Sequence, residues 1–283
     1  MKKSFVSRAR LFQGALFAFL LAGFVVQSEA QVTNITKSLS GHISNLGFDP
    51  NAGLDYWTVS GVDQLSQETF YFNLGSGVTE LNSSMFTSEA VSRVGSSYNQ
   101  LNVWYNLGSG FTANFNYVLG ISGNTYSLTP TIYINNNNDP SSSANIIFYQ
   151  YSDFVLGNVS GSQNVQMSIL SNPSQYQAYQ TGGGASLQDL LQPIGGATTE
   201  MQADNGGAPF GPLNGSPNPL NDITLTASGN AVFAYEWDVT GLQGGSSFTI
   251  SQTQTITVPE PSSVALVSAG MLAVALVCRR RRN

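Results

Sequence analysis

Short runs of β-branched and aromatic residues, separated by glycine, asparagine, serine and proline, recur along the whole middle of the chain. Between residues 34 and 258 no apolar period of about 3.6 residues is sustained, so amphipathic helices are not the main element. Val, Ile, Thr, Tyr, Phe and Trp fit the pleated, half-buried surface of a strand. The pattern predicts an all-β fold. The predicted strands are 54–60, 69–74, 101–107, 111–119, 126–134, 146–153, 164–170, 223–227, 231–239 and 247–258.

The number and spacing of these runs predict two sheets packed face to face, a β-sandwich, of which the jelly roll is one arrangement. We assign the sandwich to residues 31–257 as one unit, because all-β domains of this length commonly fold as a single domain. A chain of that size buries about 70% of its unfolded surface. It needs no disulfide, and the single Cys among 283 residues cannot form an internal one.

Three segments depart from the strand pattern. The segment 186–192 predicts a short helix, since Ser186 can cap it, Asp189 follows three residues later and Pro193 ends it. The segment 84–94 predicts a second short helix. The Gly-, Pro- and Asn-rich segment 195–221 predicts a long surface loop.

The basic residues are concentrated at the two ends. Eight of the ten Lys and Arg residues lie within the first ten and the last five positions. Between Gln31 and Val258 only Lys37 and Arg93 are basic, against 14 acids, so this part has a net charge of 2 − 14 = −12. Such a body repels phosphate backbones, which argues against nucleic-acid binding. It also lacks the basic patch that attracts proteins to anionic membrane surfaces.

The N-terminus predicts a secretory signal peptide over residues 1–30. A basic start (Lys2, Lys3, Arg8 and Arg10) precedes an apolar run of 12 residues, 15–26. As a helix this run is about 18 Å long, short of a hydrocarbon core of about 30 Å. Small residues then stand at Ser28 and Ala30, which predicts export by the Sec translocation machinery and cleavage between Ala30 and Gln31.

The C-terminus, 258–283, has three parts. A Pro-Glu-Pro motif precedes an apolar stretch of 15 residues, 264–278, and a run of four arginines. The stretch is about 22 Å long as a helix, so it predicts a short transmembrane helix. The arginines are expected to stay cytoplasmic, which leaves the body outside. The motif residues are Val258, Pro259, Glu260, Pro261 and Ser262, and the basic anchor is Arg279, Arg280, Arg281 and Arg282.

This tail resembles the PEP-CTERM protein-sorting signal of Gram-negative and related bacteria. The resemblance implies processing by an exosortase, a membrane-bound transpeptidase similar to cysteine proteases. It also implies passage through the inner membrane to the cell surface or extracellular matrix, where extracellular polysaccharide is the expected partner. The segments 149–154 and 233–239 resemble strands in the sandwich-like domains of such exported proteins.

Few residues of the body carry chemistry. The sequence has no Gly-x-Ser-x-Gly elbow, no His-Glu-x-x-His and no P-loop lysine. The only histidine, His42, is interpreted as a surface or turn residue. Glu236 and Asp238 are two apart on a predicted strand, so they share a face opposite Trp237. We interpret them as solvent-facing acids, with paired catalytic carboxylates as the alternative.

One loop spaces oxygen ligands two residues apart. Asp49, Asn51 and Asp55 flank Gly53, and alternate side chains of this kind can converge on one calcium ion. The pattern departs from an EF-hand, because the glycine comes one position early and Ser60 stands where a glutamate is needed. The alternatives are a calcium site and a solvated turn, and no other cofactor is predicted.

We interpret the protein as an exported, surface-sorted, non-enzymatic component of a bacterial extracellular matrix or biofilm. A carbohydrate-binding module is the first alternative, and a glycoside hydrolase with two carboxylates is the second. Exposed aromatic residues in line on one sheet face favour the carbohydrate-binding module. A cleft with two acids about 5 to 9.5 Å apart favours a hydrolase. A convex polar surface with neither favours the structural role.

Overall fold

Strict alternation of buried and exposed side chains builds the structure, a computed structural model. In the strand Phe111–Ser122 every second residue from Phe111 to Leu119 is buried and the residues between them are half-exposed. This is the period of a strand with one face on a core. The structure describes residues 32–95, 97–170, 175–192, 197–205, 220 and 225–259.

These residues form eighteen β-strands and one 3-10 turn at Leu156–Asn158. The strands are β1 (Thr33–Leu39), β2 (His42–Asp49), β3 (Gly53–Val59), β4 (Val62–Asp63), β5 (Leu65–Asn73), β6 (Val78–Glu80), β7 (Phe86–Val94), β8 (Ser97–Gly108), β9 (Phe111–Ser122), β10 (Thr125–Asn136), β11 (Ser143–Phe154), β12 (Gln163–Ile169), β13 (Tyr176–Gly182), β14 (Ala185–Leu191), β15 (Ala197–Asp204), β16 (Thr226–Gly229), β17 (Val232–Gln243) and β18 (Ser247–Thr257).

The strands form two antiparallel sheets of nine strands each, which confirms the predicted sandwich. Sheet 1 has the order β1-β2-β3-β5-β11-β17-β15, with β4 beside β3 and β6 beside β5. Sheet 2 has the order β16-β12-β13-β14-β18-β10-β9-β8-β7. The last strand in sequence, β18, therefore lies in the middle of sheet 2, between β14 and β10.

Aromatic side chains fill much of the space between the sheets. Phe70 and Phe148 of sheet 1 stack with ring centroids 5.9 Å apart, and both contact Phe115 of sheet 2. Trp57 and Trp237 are fully buried in the same core. Such rings contribute about 150–250 Å² of buried area each, so the core needs no covalent staple.

The structure corrects both helix predictions and part of the loop prediction. The segment 186–192 lies in and just after β14, and 84–94 is mostly the edge strand β7. Within the predicted loop 195–221, residues Ala197–Asp204 form β15. In β14 the aspartate at position 189 faces the core and breaks the apolar alternation, so the segment resembles a capped helix in sequence.

Most of the targeting segments lie outside the described residues. This holds for the predicted signal peptide with its cleavage site and for the tail from residue 260 onward. Among the residues that are described, no helix is long and apolar enough to cross a membrane.

Candidate functional site

The outer face of sheet 2 carries no charged residue on β8, β9, β10, β18, β14, β13, β12 or β16. Its side chains are almost all hydroxyls, amides and aromatic rings, because every second residue of these strands points away from the core. On β18 the outward residues are Ser247, Thr249, Ser251, Thr253, Thr255 and Thr257. The face can therefore donate and accept hydrogen bonds across a wide area without attracting ions.

Two exposed aromatic side chains lie in register on this face. Trp104 of β8 is opposite Asn114 of β9, Asn114 is opposite Tyr133 of β10, and Tyr133 is opposite Thr249 of β18. Trp104 is 37% exposed and Tyr133 is 40% exposed. Since they are two strands apart, the two rings are about 10 Å from each other. We call these four residues the Trp104–Tyr133 row.

Amide side chains next to this row are held by their neighbours. Asn116 donates through Nδ2 to Oδ1 of Asn102 at 2.7 Å, one row along the same two strands. Asn137 donates to Oγ1 of Thr112 at 3.0 Å. These contacts reduce the rotamer freedom that a binding partner would otherwise have to remove.

The outer face of sheet 1 is acidic and tyrosine-rich. One row runs from Tyr71 through Tyr149 and Glu236 to Glu200. Burial, followed by the charges of Glu236, Asp238 and Glu200, raises the pKa of Tyr149 above its ordinary range. This face therefore opposes anionic partners.

The interpretation of Glu236 as a solvent-facing acid is wrong. Glu236 is only 3% exposed, and its Oε2 accepts a hydrogen bond from the backbone N–H of Leu220 at 2.6 Å. Leu220 is itself buried against Tyr71, Tyr149 and Val232. Asp238 shares the outer face with Glu236, while Trp237 is in the core. The two acids do not line an open cleft.

His42 joins the two sheets instead of standing on the surface. It is the first residue of β2, it is half-buried, and its Nδ1 is 2.7 Å from the hydroxyl of Tyr126 on β10. The same hydroxyl is 2.5 Å from Oγ of Ser60. The histidine therefore has a structural partner in the interior.

The predicted calcium loop is the tight β2–β3 turn. Oδ1 of Asp49 accepts the backbone N–H of Asn51 at 2.8 Å, and Gly53 adopts a φ of +82°. Asp55 is the extra residue of a bulge in β3. Among the described residues, no three His, Cys, Asp or Glu side chains form a group that could hold a metal ion. Calcium binding by Asp49, Asn51 and Asp55 stays a prediction.

A polar cluster that the sequence did not reveal lies between the sheets. Glu68 of β5 is fully buried, and its Oε2 accepts hydrogen bonds from Gln150 at 2.8 Å, Ser152 at 3.2 Å and Gln254 at 2.5 Å. Gln150 and Ser152 belong to sheet 1, whereas Gln254 belongs to sheet 2. Glu68 therefore connects the two layers of the sandwich.

A second buried acid completes this cluster. Asp189 of β14 is fully buried, lies opposite Gln254 in register, and accepts a hydrogen bond from Gln252 at 2.7 Å. Burial raises the pKa of Glu68 to about 7. Burial, and then the charge of Glu68, raises the pKa of Asp189 well above its ordinary value. Because the cluster is enclosed, it acts on stability and not on an external ligand.

The sorting motif begins where the sandwich ends. The backbone N–H of Val258 donates to the carbonyl of Asn124 in the β9–β10 turn at 3.2 Å, and Pro259 is exposed. Residues 257–282 match the family model of the PEP-CTERM protein-sorting motif. The chain carries a PEP-CTERM sorting signal. The match spans the predicted motif residues and the basic anchor from Arg279 to Arg282.

A protein with a PEP-CTERM signal is exported and sorted to the cell surface, and exosortase is the partner that processes the signal. No curated protein matches the chain.

Three solved structures illustrate the proteins to which this chain is similar in strand arrangement. A bacterial glucoamylase complexed with acarbose has a TM-score of 0.49 and 9% identity, with 84% of this chain and 32% of the glucoamylase covered. A putative aldose 1-epimerase from Escherichia coli has a TM-score of 0.40 and 9% identity, with 81% and 100% covered. Heparan sulfate lyase HepC from Pedobacter heparinus has a TM-score of 0.42 and 7% identity, with 83% and 36% covered.

The chain thus spans about a third of the glucoamylase and of the lyase. Identities and TM-scores of this size carry no argument about what this chain binds or catalyses.

Proposed function

We propose that this exported, surface-sorted protein is a non-enzymatic component of the bacterial extracellular matrix that holds neutral polysaccharide on the outer face of sheet 2. The observation that carries the proposal is the Trp104–Tyr133 row, two exposed aromatic rings in register on an uncharged hydrogen-bonding sheet. A sugar ring has an apolar C–H face that can pack on such a ring, and hydroxyl groups that pair with amides and hydroxyls.

The charge distribution selects a neutral glycan. Between Gln31 and Val258 the chain has two basic residues against 14 acids, and neither Lys37 nor Arg93 belongs to the row. Carboxylated or sulfated chains would be repelled by the long-range field of such a body. The uncharged face has no such penalty for an uncharged polymer.

Removal of either ring is expected to weaken this binding. In co-sedimentation of the exported protein with the neutral extracellular polysaccharide of the producing bacterium, Trp104→Ala and Tyr133→Ala should each raise the Kd about tenfold, equal to about 1.4 kcal/mol. The matched control is Tyr98→Ala. Tyr98 is 53% exposed on the same face of β8, but it is six residues from Trp104 and stacks on Arg93 at 4.1 Å.

Equal losses in all three variants would contradict a role for this particular row. Release of new reducing ends during the incubation would contradict the non-enzymatic role. The measurement is repeated with a chelator: loss of binding without calcium would assign the Asp49–Asn51–Asp55 turn to the function, and unchanged binding would remove it.

Processing of both ends is expected in the producing bacterium. Intact mass of the surface-exposed protein should show a chain that begins at Gln31 and lacks Arg279 to Arg282. Deletion of the Pro259–Pro261 motif should leave the tail attached while the sandwich stays folded. A full-length mass on the surface of wild-type cells would contradict exosortase processing of this chain.

A further inference from the structure

A polar pocket lies at the far end of sheet 2, away from the Trp104–Tyr133 row. Its volume is about 500 Å³, within the range of about 300–1,000 Å³ that small-molecule sites occupy. Two apolar residues, Val165 and Ala227, belong to its lining. Its polar lining consists of Asn164, Gln166, Asn205, Thr226 and Ser228.

The pocket is built on the β12–β16 pair. Gln166 is opposite Thr226 and Asn164 is opposite Ser228, so four polar side chains share the outer face of two neighbouring strands. Asn205, at the end of β15, accepts the backbone N–H of Ser228 on its Oδ1 at 2.7 Å. This contact fixes the Asn205 amide and directs its Nδ2 group elsewhere.

An exposed aromatic ring stands next to the pocket. Tyr179 of β13 is opposite Gln166 of β12, and it is 43% exposed. Adjacent strands are about 4.8 Å apart, so one row runs from Tyr179 through Gln166 to Thr226 on the pocket lining. Tyr179 supplies the apolar ring, while the amides and hydroxyls supply both donors and acceptors.

We propose that this pocket binds one uncharged sugar unit of the same polysaccharide, as a second subsite separate from the Trp104–Tyr133 row. The inference rests on the proposed function and specifies a further site for it. The lining contains no charged side chain, so it offers nothing to an ion or to a phosphate. Hydroxyl groups of a sugar both donate and accept, as the amide and hydroxyl groups of the lining do.

The two sites are too far apart for a single sugar unit to touch both. Tyr179 shares a row with Gln188, Thr255 and Ser127, whereas Tyr133 lies six residues from Ser127 along β10. Six residues of a strand span about 20 Å. Each site therefore adds its own contribution, and a polymer held at both gains avidity.

The test uses the full-length exported protein and small probes. The probes are the methyl glycosides released by methanolysis of the neutral polysaccharide, which represent each sugar unit that it contains. Titration should shift the side-chain amide signals of Asn164, Gln166 and Asn205 in ¹H–¹⁵N spectra, in a saturable way. Gln166→Ala and Tyr179→Ala should weaken this binding at least tenfold, while Trp104→Ala leaves it unchanged.

The matched control is Asn116→Ala, which removes an outer-face amide of β9 outside the pocket and should leave the shifts unchanged. If no probe shifts the three amides while co-sedimentation still depends on Trp104, the pocket inference fails and the proposed function holds. If the polysaccharide does not co-sediment with the wild-type protein at all, the proposed function fails. Shifts that survive in Gln166→Ala would place the sugar elsewhere and overturn the pocket.

Discussion

A chain that ends at Ser246 is expected not to fold, whereas a chain that ends at Pro259 is expected to keep the stability of the full sandwich. The reason is the position of β18. It pairs with β10 on one side and with β14 on the other, so its removal divides sheet 2 into two parts. It also removes Phe248, Ile250 and Ile256 from the core.

The lost apolar burial alone is comparable with the whole stability of a domain. Three large side chains contribute roughly 5–9 kcal/mol on burial, and a native domain is stable by about 5–15 kcal/mol. The shorter chain should show no near-UV circular dichroism signal and no cooperative thermal transition. The longer chain should show both, with a Tm equal to that of the full protein.

A matched pair of point variants tests the same strand without truncation. Ile250→Asp places a charge on the core face of β18, where Ile250 is fully buried, and should unfold the protein. Thr253→Asp adds the same charge on the half-exposed outer face and should leave folding intact. Equal stabilities of the two variants would contradict the central, core-facing position of β18.

This topology has a consequence for export. The sandwich is complete only after residue 257 has crossed the membrane, because its last strand is a central one. Val258 is still hydrogen-bonded to the β9–β10 turn, and the exposed Pro259 follows at once. Removal of the tail after this point therefore leaves every strand in place, which is what a processing signal on a folded domain requires.

The strand pattern of the sequence predicted the all-β sandwich because most strands alternate strictly. β9, β10 and β18 have apolar residues on the core face and polar ones outside, and tertiary structure does not override this signal. The strands that were missed are polar or broken. β7 is an edge strand without a fully buried residue, so it lacks the apolar alternation on which the prediction depends.

The candidate sites were harder to predict because they depend on register between strands. Trp104 and Tyr133 are 29 positions apart in the sequence, and only the pairing of both with Asn114 places them in one row. A buried acid cannot be told from an exposed one by residue type, which is why Glu68 was not identified. The exposed aromatics on one sheet face are the feature that the sequence analysis named as favouring carbohydrate binding.

Glu68→Gln is expected to make the protein more stable at pH 8 and to reduce the pH dependence of its stability. Burial raises the pKa of Glu68 to about 7 in the folded protein, from an ordinary value near 4.5. The folded state therefore binds a proton that the unfolded state has released, so the free energy of unfolding falls as pH rises through this window. For about 2.5 pKa units the loss is about 3 kcal/mol, complete above pH 7.

The glutamine variant keeps the acceptor and removes the charge. Its Oε1 can accept the hydrogen bonds from Gln150, Ser152 and Gln254, and its amide group can donate. Suitable acceptors are present, because Glu68, Gln150, Gln252, Gln254 and Asp189 each have one side-chain oxygen with no hydrogen-bond partner in the described part of the chain. The substitution therefore leaves no new unpaired group in the core.

Urea unfolding of both proteins at intervals from pH 4 to pH 9 measures this effect. The wild-type protein should be less stable at pH 8 than at pH 5, and the variant should exceed it at pH 8 by up to about 3 kcal/mol. Asp189, whose pKa is raised in the same direction, should leave a residual slope in the variant that Asp189→Asn removes. Asp55→Asn, which removes an exposed acid of β3, is the control and should leave the slope unchanged. A wild-type stability that rises steadily from pH 5 to pH 8 would mean that Glu68 is ionised in the folded core, and the hydrogen bonds from both sheets would then outweigh the cost of burying its charge.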